Sequence, residues 1–296
     1  MLEFREATLA DREWVADCMR RAGFRGSDYT FANLYNWTKI YNIQIARFED
    51  FLIVRNGDGP YGYLYPVGVG DVRPAIDAIT EECKKFPQRL RLYNLPKEAV
   101  DNLEKLYPGR FMFEEKRDNF DYIYTRESLM TLSGKKLHGK RNHIARFKQN
   151  NPDWTYEHLT KDNLSDAWNM NVEWCAANDC AASEGLKDEA CAVRRAFENF
   201  EEEKLTGGLI RVGGKVVAFT MGSPITDDTF DVHIEKAFSD IQGAYPMINQ
   251  QFVINGLEGY TYVNREDDVG DPGLRKAKLS YQPAIMYERY TATERE

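Results

Sequence analysis

Cysteine is scarce and irregularly placed: the 296-residue chain holds five, Cys18, Cys83, Cys175, Cys180 and Cys191. The number is odd and no Cys-x-x-Cys pair occurs, so neither a disulfide framework nor a zinc site is written in the thiols, and no metal is expected. Long apolar runs are missing as well. None approaches the ~20 residues that a membrane-spanning helix needs. The start, Met1-Leu2-Glu3-Phe4-Arg5-Glu6, lacks the basic-then-apolar order of a secretion signal, which makes a cytoplasmic location the expectation. A basic excess is absent too: the net charge of -8 argues against a general nucleic-acid binder. What the chain does contain is 43% apolar and 13% aromatic residues, enough to build a substantial core in one large domain or two ordinary ones.

Positive charge is concentrated locally. Between Gly134 and Lys148 stand Lys135, Lys136, Lys140, Arg141, Arg146 and Lys148, with His138 and His143 and no acidic residue. Leu137, Ile144 and Phe147 form an apolar stripe that can dock this segment as a helix. Lys136, Lys140 and Arg141 are then candidates to bind a phosphate group or the backbone of a tRNA acceptor end. The plainer alternative is a solvated basic helix that offsets an acidic surface.

The second half reads as helix, helix, three-strand meander, helix, strand, helix, strand. Helices are expected over about Lys161–Ala177 and Lys187–Lys204. Gly213-Gly214 joins Gly207–Val212 to a strand running to about Ile225, since a tight hairpin turn needs positive φ. Thr229–Lys236 is the third strand. The helix Tyr245–Leu257, the strand Tyr260–Val263, the short helix Leu274–Lys278 and a last strand, Pro283–Tyr290, complete the set. The first half shows a blurred version of this order. It reads as the strand Leu2–Ala7, the helix Ala10–Arg21, a hairpin over Ile43–Phe48 and Phe51–Arg55, and the strand Tyr61–Tyr65. The helix Val72–Lys85, the strand Arg89–Tyr93, the helix Lys97–Leu106 and a closing strand Phe120–Tyr124 follow. No linker rich in Pro, Gly or Ser marks the join near Arg126–Ser133, so the expected domains are 1–130 and 131–296.

This order of elements resembles the acetyltransferase-like lobe of the GNAT type, present twice in tandem. The stretch Tyr262–Pro283, with Asn264-Arg265-Glu266-Asp267-Asp268 and Gly273-Leu274-Arg275-Lys276-Ala277-Lys278, is similar to a bacterial family related to the C-terminal domain of phosphatidylglycerol lysyltransferases. Phe31–Trp37, Gly134–Asn142 and His233–Phe238 resemble the same family. A more distant likeness is to Fem-type transferases, which take amino acids from aminoacyl-tRNA. The resemblance implies a mixed-sheet α/β fold with two acyltransferase-like lobes, and it places Lys278 near an acyl carbonyl.

The residues support that reading from their own chemistry. Acyl transfer to an amine needs donors for the oxyanion of a tetrahedral intermediate and a group to take a proton. Lys278, Arg275 and Asn264 suit the first task, and Glu266 or Asp268 the second; alternatively, the acids cap the following helix and the cations are solvated. On the strand Asp231–Lys236 a period of two sends Asp231, His233 and Glu235 to one face. His233 with Glu235 is a candidate base pair of residues, the carboxylate raising the imidazole's basicity. An edge strand with a wet face fits equally well. The turn Ser239–Ala244 occupies the slot where acetyltransferases cradle the coenzyme A pyrophosphate, yet only Gln242-Gly243-Ala244 of that pattern is present, and a plain turn is preferred. Phe31–Trp37 reads as core.

Two functions follow. The first is an acyl- or aminoacyl-transferase without a membrane span, its donor aminoacyl-tRNA or acyl-CoA and its acceptor an amine or hydroxyl on a small molecule or lipid headgroup. The second is a catalytically silent tandem module that binds a small anionic ligand or an RNA end.

Overall fold

A computed structural model describes residues 2–180 and 184–296 and resolves the chain into two compact units. The first comprises Met1–Asp121, Asp267–Asp271 and Met286–Glu296; the second comprises Tyr122–Glu266 and Pro272–Ile285.

The chain begins with α1 (Arg12–Ala22), α2 (Phe31–Asn36) and α3 (Thr38–Tyr41). The hairpin β1 (Gln44–Phe48) and β2 (Phe51–Asn56) follows, then β3 (Gly62–Tyr63), β4 (Val67–Gly68), α4 (Arg73–Cys83), β5 (Arg91–Leu95), α5 (Lys97–Leu106) and β6 (Phe111–Glu115). Next come β7 (Asp121–Thr125), α6 (Arg126–Thr131), α7 (His138–Asn150), β8 (Thr155–His158), α8 (Leu164–Ala177) and α9 (Glu184–Glu198). The meander β9 (Thr206–Val212), β10 (Lys215–Pro224) and β11 (Thr229–Ala237) leads to α10 (Ala244–Gly256), β12 (Tyr262–Asn264) and α11 (Pro272–Leu279). Two short strands, β13 (Ile285–Tyr287) and β14 (Tyr290–Glu294), end the chain.

In the first unit the sheet order is β1-β2-β3-β5-β14-β6, with β4 on β2. The two faces of β2 explain its layers. Phe51 and Ile53 join a cluster with Ile76 and Ile79 of α4 and Leu103 of α5, whereas Leu52 and Val54 join Val15 and Met19 of α1 and Leu34 of α2. Alternate residues of one strand thus feed two separate cores, which is what a sheet covered on both faces requires. Phe31 and Leu34 are buried in the second of these cores, as expected for that aromatic stretch.

In the second unit the order is β13-β7-β12-β11-β10-β9-β8. β10 is buried along almost its whole length, consistent with cover on both faces. Phe197 of α9 meets Phe219 of β10 with ring centroids 5.3 Å apart, and Phe252 of α10 meets Phe230 of β11 at 5.8 Å. The fold is mixed α/β with two GNAT-like lobes, each pairing a meander strand in parallel with the strand after the next helix: β3 with β5, and β11 with β12.

The chain does not divide between the units at the single point near residue 130 expected from the sequence. β7, read as closing the first lobe, pairs with β12 in the second sheet. The expected last strand, Pro283–Tyr290, is two strands, and β14 inserts between β5 and β6 of the first sheet. The break falls at Arg289, whose guanidinium is fully buried against Asp121 at 2.8 Å and Asp28 at 3.3 Å. Ser27 donates its backbone N–H to the same Asp121 carboxylate at 2.8 Å. Burial alone would lower the Arg289 pKa, but the two carboxylates outweigh it and the group is held as a cation. A strand pattern cannot reveal its pairing partner, so neither exchange was visible in the sequence.

Two stability predictions follow from this packing. Asp121→Asn leaves the Arg289 charge in a buried site with a weakened partner and should cost about 3–5 kcal/mol, read from denaturant or thermal unfolding. Gly222, where the β10–β11 register shifts, has no room for a side chain: a Cβ there would stand 1.9 Å from the Asp231 carbonyl oxygen. Gly222→Ala should therefore destabilise by about 1–3 kcal/mol, while Gly139→Ala, with nothing within 4 Å, should be neutral or mildly stabilising.

Candidate functional site

In the second unit β11 and β12 run parallel over three residue pairs only: Thr229 with Tyr262, Phe230 with Val263 and Asp231 with Asn264. Beyond Asp231, β11 continues beside β10 as far as Ala237. β12 instead stays with β7, Arg265 donating its N–H to the Tyr122 carbonyl and Tyr122 donating to that of Glu266. Past the ladder, side chains rather than backbone groups connect the two strands. Asp231, His233 and Glu235 are alternate residues and share a face, as the sequence predicts. Glu266 meets His233, and Arg265 meets Glu235. Consecutive residues reach one face of β11 because Glu266 breaks the strand with φ 55, while its N–H is held by the Asn264 side chain at 2.7 Å. A left-handed non-glycine residue costs of order 1–3 kcal/mol, and such strain concentrates at functional sites.

The first group centres on His233. Its Nδ1 lies 3.3 Å from Asp231 Oδ2 and 3.2 Å from Glu266 Oε1, and its Nε2 lies 2.8 Å from Ser223 Oγ. Burial alone would hold the imidazole pKa down, but the Asp231 and Glu266 carboxylates outweigh it and push it up to about 10. The expected partnership of His233 with Glu235 does not form. Glu235 is drawn instead to Arg265, at 2.7 Å, and accepts from Asn249 at 2.9 Å. The two carboxylates favour the imidazolium, which runs against the general-base role read from the sequence.

The second group surrounds Arg265. Its guanidinium carbon lies 4.7 Å from the ring centroid of Tyr281 and 5.7 Å from that of Tyr124, and both tyrosines are buried. Lys140, from α7, places Nζ 3.9 Å from the same Tyr281 centroid. Burial, followed by the nearby Arg265 charge, lowers the Lys140 pKa to about 8. For Arg265 burial would act in the same sense, but Glu235 outweighs it and keeps the cation. Nη2 of Arg265 donates to Glu235, while Nη1 is buried with no hydrogen-bond partner among the described residues. Lys278 donates to the Arg265 carbonyl at 2.6 Å, and Tyr124 donates to the Lys278 carbonyl at 2.7 Å.

The other candidates lie apart from this chemistry or are engaged in structure. Arg141 donates to the carbonyls of Leu132 and Gly134, tying down the turn before α7. Lys136 is exposed and Arg275 half-buried. Asp268, in the first unit, is fully buried, accepts from the Gly270 N–H at 3.0 Å and pairs with Arg117 at 3.4 Å. Asn264 is fully buried and shapes the Glu266 turn. At the turn before α10, Gly243 caps the helix with φ 86, and a Cβ there would stand 2.3 Å from the His143 carbonyl oxygen. The glycine serves packing of α7 against the helix start, which fits a pyrophosphate cradle poorly. Tyr124, Tyr281 and Ser223 were not among the candidates legible in the sequence, and Lys140 was expected only as a phosphate binder. The lone Ser in an apolar strand and the aromatic residue closing the basic-acidic stretch were the available signals.

No helix among the described residues is long and apolar enough to cross a membrane. A conserved protein of unknown function from Bacteroides thetaiotaomicron is 42% identical and superposes over 100% of both chains with a TM-score of 0.95. The C-terminal domain of a putative lysylphosphatidylglycerol synthetase from Agrobacterium fabrum shares the fold at 15% identity, over 98% of this chain and 93% of that one, with a TM-score of 0.69. L-PGS from Bacillus licheniformis does so at 16% identity, over 89% and 91%, with a TM-score of 0.62. An uncharacterised protein from Mycoplasmoides gallisepticum is 23% identical over 207 residues, which span 65% of this chain and 66% of that protein. The family described as phosphatidylglycerol lysyltransferase, C-terminal, matches residues 12–293, and the chain belongs to this family of transferases.

Proposed function

We propose that the second unit transfers an aminoacyl group from aminoacyl-tRNA to an amine or hydroxyl acceptor where β11 and β12 part. The observation that carries this reading is the half-buried Lys140 amine beside Arg265 and Tyr281. With a pKa of about 8, Lys140 is a positioned base that can take the proton of the attacking amine or hydroxyl and, as the ester bond to the terminal ribose of the tRNA breaks, return it to the departing ribose oxygen. Arg265 Nη1, buried and without a hydrogen-bond partner among the described residues, is a donor for the oxyanion that forms as the acceptor adds to the acyl carbonyl. Glu235 and Lys278 hold Arg265, one by its guanidinium and the other by its carbonyl.

Aminoacyl-tRNA is preferred to acyl-CoA because the turn at Gly243 packs against α7, while Lys135, Lys136 and Arg146 stand exposed along the basic segment for a phosphate backbone. Charged tRNA as the donor places the reaction in the cytoplasm. The family's description points to a phosphatidylglycerol-type headgroup as the acceptor class.

The test is transfer of label from a mixture of aminoacyl-tRNAs to phosphatidylglycerol vesicles and to small amines. Lys140 must be neutral to accept a proton, so the rate should rise about tenfold per pH unit below about 8 and level off above it. Lys140→Met should lower the rate by about 100-fold or more and remove that pH limb. Arg265→Lys, which keeps the charge but loses the fork, should lower it about 100-fold. Wild-type turnover by Lys140→Met would overturn the assignment. Binding of tRNA without transfer to any acceptor would favour a silent binding module.

A further inference from the structure

The group around His233 plays no part in that transfer chemistry, yet it brings three potential ligand side chains together. Asp231 is fully buried, His233 nearly so, and the Glu266 side chain is about a quarter exposed. One histidine nitrogen and two carboxylates from β11 and the residue two beyond β12 converge there, with their donor atoms all within 4.8 Å of one another. We infer that Asp231, His233 Nδ1 and Glu266 form a binding site for a divalent transition-metal ion of the zinc, manganese or iron(II) type.

Three features of the geometry point to a metal rather than to a simple ion pair. The first is distance. Charge-assisted N–H···O bonds are short, about 2.7–2.9 Å, whereas both carboxylates stand 3.2 and 3.3 Å from Nδ1. One N–H cannot aim well at two acceptors. In a tetrahedral shell with bonds of about 2.0–2.1 Å, however, neighbouring ligand atoms stand about 3.3 Å apart. The spacing is that of a coordination edge.

The second is the far side of the imidazole. Nε2 faces Ser223 Oγ at 2.8 Å. A ligating histidine characteristically donates its other ring N–H to a nearby oxygen, which fixes the tautomer and aims the bare nitrogen at the ion. With Nε2–H on Ser223, an ion that displaces the Nδ1 proton would meet the lone pair of that nitrogen between the carboxylates.

The third is charge. With neutral imidazole the three groups sum to -2, and with imidazolium to -1; a divalent ion in place of the proton brings the sum to zero at a buried site. The ion would enter on the side of Glu266, the one member with solvent exposure, and a water or substrate oxygen could complete its shell there. Mixed nitrogen and carboxylate donors select zinc, manganese or iron(II) over magnesium or calcium, which prefer all-oxygen shells. The cost of the left-handed Glu266 backbone is accounted for by the same site, because that turn is what brings the carboxylate to Nδ1.

The experiment uses the full chain, stripped with a chelator and titrated with Zn²⁺ by calorimetry, with Co²⁺ as a spectroscopic probe. One equivalent of Zn²⁺ should bind and raise the melting temperature. Co²⁺ should give visible absorption of a low-coordinate site with nitrogen and oxygen ligands. Glu266→Gln should weaken Zn²⁺ binding more than tenfold, and Ser223→Ala should weaken it about tenfold. The Lys140→Met variant, outside the cluster, should bind Zn²⁺ as the wild type does, which separates this site from the transfer chemistry. Absence of stoichiometric Zn²⁺ binding by the wild type would overturn the inference whatever the variants do. Unchanged affinity in a folded Glu266→Gln protein would overturn it equally.

Discussion

The candidate site depends on a three-residue parallel ladder that stops. Thr229–Asp231 of β11 pairs with Tyr262–Asn264 of β12, after which each strand keeps a different neighbour. Had the ladder continued, the alternating polar residues of β11 would face a closed sheet, where unpaired polar groups are costly. Because it stops, His233 and Glu235 are met by side chains from across the opening. Gly222 makes this possible on the other side: its missing side chain lets β10 approach the Asp231 carbonyl where the β10–β11 register shifts.

Each of the two polar groups at the opening is organised by burial of charge. Arg265 is kept cationic by Glu235, and its presence together with burial lowers Lys140. His233 is held between two acids that outweigh the effect of burial. Two strand positions apart, one cluster thus favours loss of a proton from an amine while the other strongly retains a cation. Separation of neighbouring titratable groups in this way is how one site assigns distinct roles to similar residues. The fold of the first unit rests on the same principle in a different form, with Arg289 buried between Asp121 and Asp28 where β13 gives way to β14.

Much of this was legible in the sequence. The Gly213-Gly214 turn, the period-two face of Asp231, His233 and Glu235, and the apolar stripe of α7 follow from local geometry, and the structure contains all three. The order of elements follows in large part, but Leu2–Ala7, read as a strand, makes only the single bridge of Arg5 with Ile45, and β6 and β8 were not read from the sequence. The exchanges of β7 and β14 do not follow, since strand propensity is blind to partner choice. The site was legible as a set of residues but not as a set of pairs. Glu235 was placed with His233 because they are two residues apart, whereas its partner is Arg265, thirty residues later. The part taken by Lys140 depends on burial beside Tyr281 and Arg265, which no local pattern carries.

The central claim is that Lys140 is the readily deprotonated amine of an acyl-donor site, and its reactivity tests this directly. Brief treatment with an amine-specific acylating reagent at pH 8, followed by peptide mass spectrometry, compares Lys140 with exposed Lys136 in the same segment. The account predicts that Lys140 reacts faster despite its partial burial, because its pKa is about 8, and that aminoacyl-tRNA protects it. Labelling of Lys140 no faster than of Lys136, or labelling unaffected by aminoacyl-tRNA, would contradict it.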